Sequence, residues 1–164
     1  MYPPGHVATA WLAADAARLG ARGAGLAIFG ALLPDLIDKP LLLLGLVPGT
    51  RSLGHSIAVW AVVVLLCRWA RGLWPLALGG VSHLVADFLD DVFAGVFSSG
   101  TLMTGWWLWP VAASNLQVGW STPPLPCAAC WHGLEGVLVV LAVSAGVRRI
   151  SGGEAHRTEP PPPS

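Results

Sequence analysis

The sequence predicts an all-α fold, specifically a polytopic helical membrane protein with about four to six transmembrane or re-entrant helices around a polar His/Asp cluster. Three observations carry this expectation. The 164 residues are 54% hydrophobic and 11% charged, with a mean hydropathy of +0.64, whereas a soluble domain is about 25% charged. The ionisable residues that remain include several inside apolar runs, where an ionisable side chain needs a partner or a task. The arginines fall mostly at the ends of those runs.

Residues 5–19 read as a short helix of small and apolar residues,. The apolar stretch 24–47 is interrupted by Pro34, Asp35, Asp38, Lys39 and Pro40, so the helix is expected to break there. Residues 56–67 and 73–89 should form a helical hairpin around the arginine turn 68–71. Residues 92–117 are apolar but rich in Gly, Ser and Trp, which suits a re-entrant segment as well as a clean span. A last helix is expected over 133–147, ending at Arg148 and Arg149. The division is thus a helical membrane domain over 1–150 and a disordered, Pro-rich tail over 151–164.

Arg18, Arg22, Arg68, Arg71, Arg148 and Arg149 assign one end of the bundle to the cytoplasm by the positive-inside rule. His6, Asp35, Asp38, His55 and the turn from His83 to Asp87 then fall towards the external end. The start of the chain has no positive charge ahead of an apolar run, as a secretory signal would need. Net charge is formally zero and the basic residues are scattered, which excludes a nucleic-acid footprint and a polybasic lipid anchor; the apolar composition makes membrane lipid the expected partner. Trp69 and Trp74 flank the arginine turn as an interfacial belt. Trp106, Trp107, Trp109, Trp120 and Trp131 are read equally well as belt or as filling.

His83 and Asp87, four apart on a helix, share a face and can offer an imidazole nitrogen and a carboxylate to one cation. Alone they are read as well by a simple hydrogen bond between buried groups. Asp35 and Asp38 add two carboxylates on one helical side, and His55 precedes Ser56 at the next helix start. The competing account there is a capping Ser56 beside a solvated His55. His6, Asp35, His55, His83 and Asp87 together make a mixed imidazole and carboxylate set that suits zinc, or manganese, better than magnesium. Asp35 is the expected bridging carboxylate, and Asp38 a ligand or the orienter of a histidine. Arg51 would pair with a substrate phosphate through its planar fork, and is read equally well as a contact to anionic lipid headgroups or as an exception to the positive-inside rule. With Asp35 and Asp38 it forms the expected catalytic group for phosphoester hydrolysis by metal-activated water. His132 and Glu135, three apart, are a further ligand pair or, for Glu135, a first-turn acid favoured by the helix dipole. Cys127 and Cys130 are a lone CxxC, read as a disulfide, a zinc pair or an inert pair.

Gly5-His6, Leu33-Pro34-Asp35-Leu36-Ile37-Asp38, Arg51-Ser52-Leu53-Gly54-His55-Ser56, Gly80-Val81-Ser82-His83-Leu84-Val85-Ala86-Asp87 and Trp107-Leu108-Trp109-Pro110 occur in that order. This pattern resembles the YdjM family of inner-membrane metal-dependent hydrolases, also described as a LexA-binding, membrane-bound hydrolase family. The order of His, Asp, His and HxxxD is more distantly similar to the zinc-dependent phospholipase C and P1 nuclease group. The spacing from His132 to Glu135 is one residue short of that group's second pair. The resemblance implies a membrane-bound hydrolase in a bacterial-type inner (plasma) membrane, multi-pass, with its substrate left open. A lipid or lipid-linked phosphoester is a candidate substrate. The alternative is a non-enzymatic membrane protein, a metal or proton carrier or a structural protein, using the same His and Asp residues.

Overall fold

The computed structural model describes residues 2–47, 51–93 and 127–157. They form α1 (Pro3–Ala16), α2 (Ala21–Leu43), α3 (Ile57–Leu66), a 3-10 turn (Arg71–Leu73), α4 (Trp74–Phe93) and α5 (Cys127–Arg157). The described chain contains no strand, in keeping with the all-α expectation.

Pro3 and Pro4 open α1 at positions where the missing N–H would have had no helical partner anyway,. The helix closes in a Schellman motif: the Arg18 N–H donates to the Asp15 carbonyl and the Leu19 N–H to the Ala14 carbonyl, both at 2.9 Å,. Arg18 takes the left-handed conformation this requires, at φ 54°. The same closure ends α2, where Gly45 (φ 69°) holds the left-handed position. There its N–H and that of Leu46 reach the carbonyls of Leu42 and Leu41. Glycine meets that demand at no steric cost.

α2 does not break. It runs unbroken from Ala21 to Leu43 with Pro34 and Pro40 inside it. An interior proline costs about 3 kcal/mol through its lost hydrogen bond and ring clash, and packing offsets this. α2 makes the most extensive helix contact of the described chain, with α4. At that crossing a Cβ on Gly79 would strike the Ala27 carbonyl, and one on Gly30 the Leu76 carbonyl. Only glycine permits so close an approach of two backbones. Of the Asp and Pro residues that suggested a break, Pro34 and Asp38 face inward and are fully buried, Asp35 is half-buried and Pro40 is exposed.

α1 and α5 run parallel. Tyr2 N–H donates to Glu135 Oε1 at 2.7 Å, and Arg149 Nε pairs with Asp15 Oδ1 at 2.8 Å. Asp15 follows Tyr2 by 13 positions and Arg149 follows Glu135 by 14, and both separations span about 20 Å at helical rise. α5 starts before the expected 133 and continues past 147, so residues 151–157 are helical rather than a disordered tail. Residues 158–164, the segment 94–126 and the expected Trp107-Leu108-Trp109-Pro110 motif lie outside the described residues.

The interior is unusual in composition. The buried hydrophobic side chains are mainly alanines, such as Ala10, Ala14, Ala27 and Ala31, while Leu43, Leu44, Leu65, Trp69, Val140 and Val143 are exposed. The largest fully buried side chains include His6, His55, His83 and Asp38. This inverts the distribution of a water-soluble domain. One helical stretch among the described residues, Arg71–Asp90, is long and apolar enough to cross a membrane, with a mean hydropathy of 1.3. The core helix of a soluble protein also meets that criterion.

Candidate metal centre

α1, α2, the α2–α3 loop and α4 contribute to one buried cluster. His6 comes from the first turns of α1, Asp35 and Asp38 from the last turns of α2, Arg51 and His55 from the α2–α3 loop, and His83 and Asp87 from α4. His6, His55 and His83 are each about 1% exposed or less, and Asp87 is 4% exposed.

Asp87 is the centre of the arrangement. Its Oδ1 lies 3.3 Å from His6 Nε2. Its Oδ2 lies 3.3 Å from His55 Nε2, 3.6 Å from His83 Nε2 and 3.3 Å from Arg51 Nη2. Asp35, the expected bridge, stands instead at the rim. Its Oδ1 is 3.9 Å from His55 Nε2, and its Oδ2 accepts from Lys39 Nζ at 2.7 Å. The i, i+4 lysine bond turns that carboxylate partly outward.

Asp38 lies behind the cluster. It accepts hydrogen bonds from the Ser52 N–H (2.7 Å), Ser52 Oγ (2.9 Å), the Gly54 N–H (2.8 Å) and the His55 N–H (3.3 Å). It also accepts from His55 Nδ1 at 2.7 Å. A carboxylate so filled has little capacity left for an ion, and its action is to fold the loop and fix one imidazole. Gly54 is essential to that loop, since a Cβ there would meet the Pro34 backbone. Its carbonyl accepts from Trp60 Nε1 at 2.7 Å. Ser56 occupies the cap position of α3 without a side-chain cap bond, and His55 is buried, so the capping account with a solvated histidine does not hold.

The hydrogen bonds assign the tautomers. Ala31's carbonyl can only accept, so His83 Nδ1, 2.6 Å away, carries its proton. The Asp38 carboxylate assigns the Nδ1 proton of His55 in the same way. Both neutral rings therefore aim Nε2 lone pairs into the cluster, and these nitrogens are 3.1 Å apart beside Asp87 Oδ2. Two lone pairs and a carboxylate oxygen facing one another demand positive charge between them, as a proton or a metal ion. Burial pushes the His55 pKa down, but hydrogen bonds to Asp38 and Asp87 outweigh it and raise the value above the ordinary 6.5.

His6 lies flat on His83, ring centroids 3.7 Å apart and planes at 14°. Its Nδ1 is buried and has no hydrogen-bond partner, a costly condition for a polar atom. His6, His83 and Asp87 place one ligand atom each within 4.8 Å of one another, as do Asp35, His55 and His83. These buried groups could hold a metal ion. The orphaned His6 nitrogen, the facing Nε2 atoms and a donor set of imidazole and carboxylate all fit a divalent cation.

Four contributions were not legible in the sequence: Ser52, Gly54, the Ala31 carbonyl and Lys39. The proximity of Ser52 and Gly54 to His55 was the only available signal. Glu135 is neither a ligand in these groups nor a first-turn acid. It lies two turns into α5 and binds the start of α1. The side chains of His132, Cys127 and Cys130 lie outside the described residues.

Compared with protein-family models, with curated proteins and with solved structures, the chain matches none of them.

Proposed function

We propose that the chain is a multi-pass membrane hydrolase of the YdjM-like kind that uses a divalent ion, zinc or manganese, to cleave a phosphoester. The observation that carries this reading is the convergence of His55 Nε2, His83 Nε2 and Asp87 Oδ2 on one buried point, with both Nδ1 protons held from behind. Imidazoles locked in this way have lost their rotational freedom before any ligand arrives. The inverted core supports the membrane environment: alanine and glycine mediate helix contact, and leucine and valine face outward,. The exposed arginines of the opposite end support an orientation with the cluster towards the external face of an inner membrane.

In this reading His55, His83 and Asp87 hold the ion and Asp35 completes its shell from the rim. His83 has one nitrogen to offer, so the two triads share a single ion through it. A second ion would rest on His6 and Asp87 Oδ1. When bound, a divalent ion supplies Lewis acidity that makes a water nucleophilic at neutral pH and offsets charge on a phosphoryl oxygen. Asp38 keeps His55 in the required tautomer. Arg51 holds Asp87 in place and presents its guanidinium to an oxyanion,. A lipid or lipid-linked phosphoester reaches this end of the bundle from the bilayer.

A metal or proton carrier would need ionisable groups continuing through the bundle. α3, Ile57–Leu66, has none, and the middle of the α2–α4 crossing is alanine and glycine. The test is elemental mass spectrometry of detergent-purified protein beside His83→Ala and Asp87→Asn. About one or two equivalents of zinc or manganese are expected, lost in both variants while helicity is kept. Metal-loaded protein should then hydrolyse a p-nitrophenyl phosphoester or a phospholipid. Absence of metal after reloading removes the hydrolase reading.

A further inference from the structure

The cluster is closed on nearly every side by its own ligands. His6, His55, His83, Asp38 and Asp87 are buried, and the Arg51 side chain is 10% exposed. Among the described residues of the site, only Asp35 and Lys39 reach outward, with side chains 20% and 39% exposed. Among the described residues, the outward-reaching side of the His55–His83 pair is thus a carboxylate and an ammonium bonded to each other. That carboxylate is also the rim member of the Asp35, His55, His83 group, 3.9 Å from His55 Nε2 by its other oxygen.

Charge indicates what would approach. With the histidines neutral, Asp35, Asp38 and Asp87 exceed Lys39 and Arg51 by one negative charge. A divalent ion reverses this to one positive charge, in a site of low dielectric where such a balance acts strongly. The loaded site thus selects an oxyanion. Lys39 is suited to meet it, as a point charge on a flexible, partly exposed stem beside Asp35,. We propose that Lys39 is the recognition residue for a phosphoryl oxyanion, exchanging its bond to Asp35 for one to the ligand and so releasing Asp35 towards the ion. This rests on the metal-site reading above. It adds that anion and metal bind with positive coupling through one lysine, so that Asp35 becomes a full ligand only once the oxyanion is present. Coupling between two ligands is reciprocal, so the effect is readable on metal affinity without turnover.

The experiment measures zinc affinity by titration calorimetry under a zinc buffer, with and without saturating phenylphosphonate, for wild type, Lys39→Gln and Lys39→Arg. The partly exposed position of Lys39 makes both variants tolerable to the fold. Phenylphosphonate should tighten zinc binding of wild type by about tenfold. Lys39→Gln should bind zinc yet lose that gain, and Lys39→Arg should recover part of it. A second arm replaces phenylphosphonate with nanodiscs containing phosphatidic acid, against phosphatidylcholine alone. Lys39-dependent coupling in the lipid arm only assigns the oxyanion to a lipid headgroup, and coupling in both assigns it to the phosphoryl group itself. Equal coupling in wild type and Lys39→Gln, or none in either arm, overturns the role of Lys39 and leaves the metal site standing. Zinc bound by no protein overturns both.

Discussion

The two ends of the bundle treat the same residue type in opposite ways. At one end Arg18, Arg22, Arg68, Arg71, Arg148 and Arg149 are all exposed. At the other, Arg51 is buried against Asp87. A guanidinium facing water needs no partner, whereas one enclosed by helices persists only beside compensating charge. The exposed end is open to its surroundings, and the enclosed end holds a paired cluster. The contrast teaches that an arginine's neighbours, rather than its presence, carry the functional signal.

This contrast is most severely tested at Asp87. Asp87→Asn keeps the shape and removes the charge that Arg51, His6, His55 and His83 share. It should weaken zinc binding by more than about a hundredfold, since breaking a buried ion pair costs about 3–5 kcal/mol. Equilibrium dialysis measures it, and a change under threefold would remove Asp87 from the centre of the site. Asp38→Asn should follow, with about a 10- to 100-fold loss of metal affinity from an outer-shell change. It should also loosen the loop from Ser52 to His55, visible as faster amide exchange there.

The packing between the two ends responds to volume. Gly79→Val should lower stability by about 1–3 kcal/mol by forcing α2 from α4, read as a lower Tm in detergent. Retention of wild-type Tm would contradict the close crossing. The ends also differ in pH response, because arginine does not titrate in the accessible range and His55 does. Its raised pKa makes its contribution to metal-free stability complete below the unfolded value of 6.5. That contribution fades as pH climbs through the higher folded value. Metal affinity should run the other way, rising over the same interval as the ion displaces the proton. Parallel Tm and zinc titrations on chelated protein check the opposed signs. The smallest effect belongs to the exposed end: Arg149→Ala should cost at most about 1 kcal/mol, since its pair with Asp15 is about one third exposed and screened,.

Much of the fold was readable in the chain. The hairpin around the arginine turn followed from apolar run length, and His83 and Asp87 from helical spacing. α2 was misread because interior prolines are a local signal, and their cost is outweighed by a crossing with α4 that local pattern does not reveal. The five residues expected as metal ligands do meet in space, but their ranking differed. Spacing places Asp35 and Asp38 on one face, yet cannot say that a lysine one turn later engages the first and a loop fourteen residues on fills the second. The central position of Asp87 depends on α1, the α2–α3 loop and α4 converging, which no single motif contains.

The parallel pairing of α1 and α5 has a consequence for the order in which the site is completed. Every side chain in the two candidate ion groups lies between His6 and Asp87, so all are synthesised before α5 begins at Cys127. Glu135 and Arg149 then fasten α1 at Tyr2 and Asp15, which sets the depth of His6 beside His83. The later-made α5 thus acts as the gauge that registers α1, and a chain halted after α4 carries every described ligand with one member unindexed.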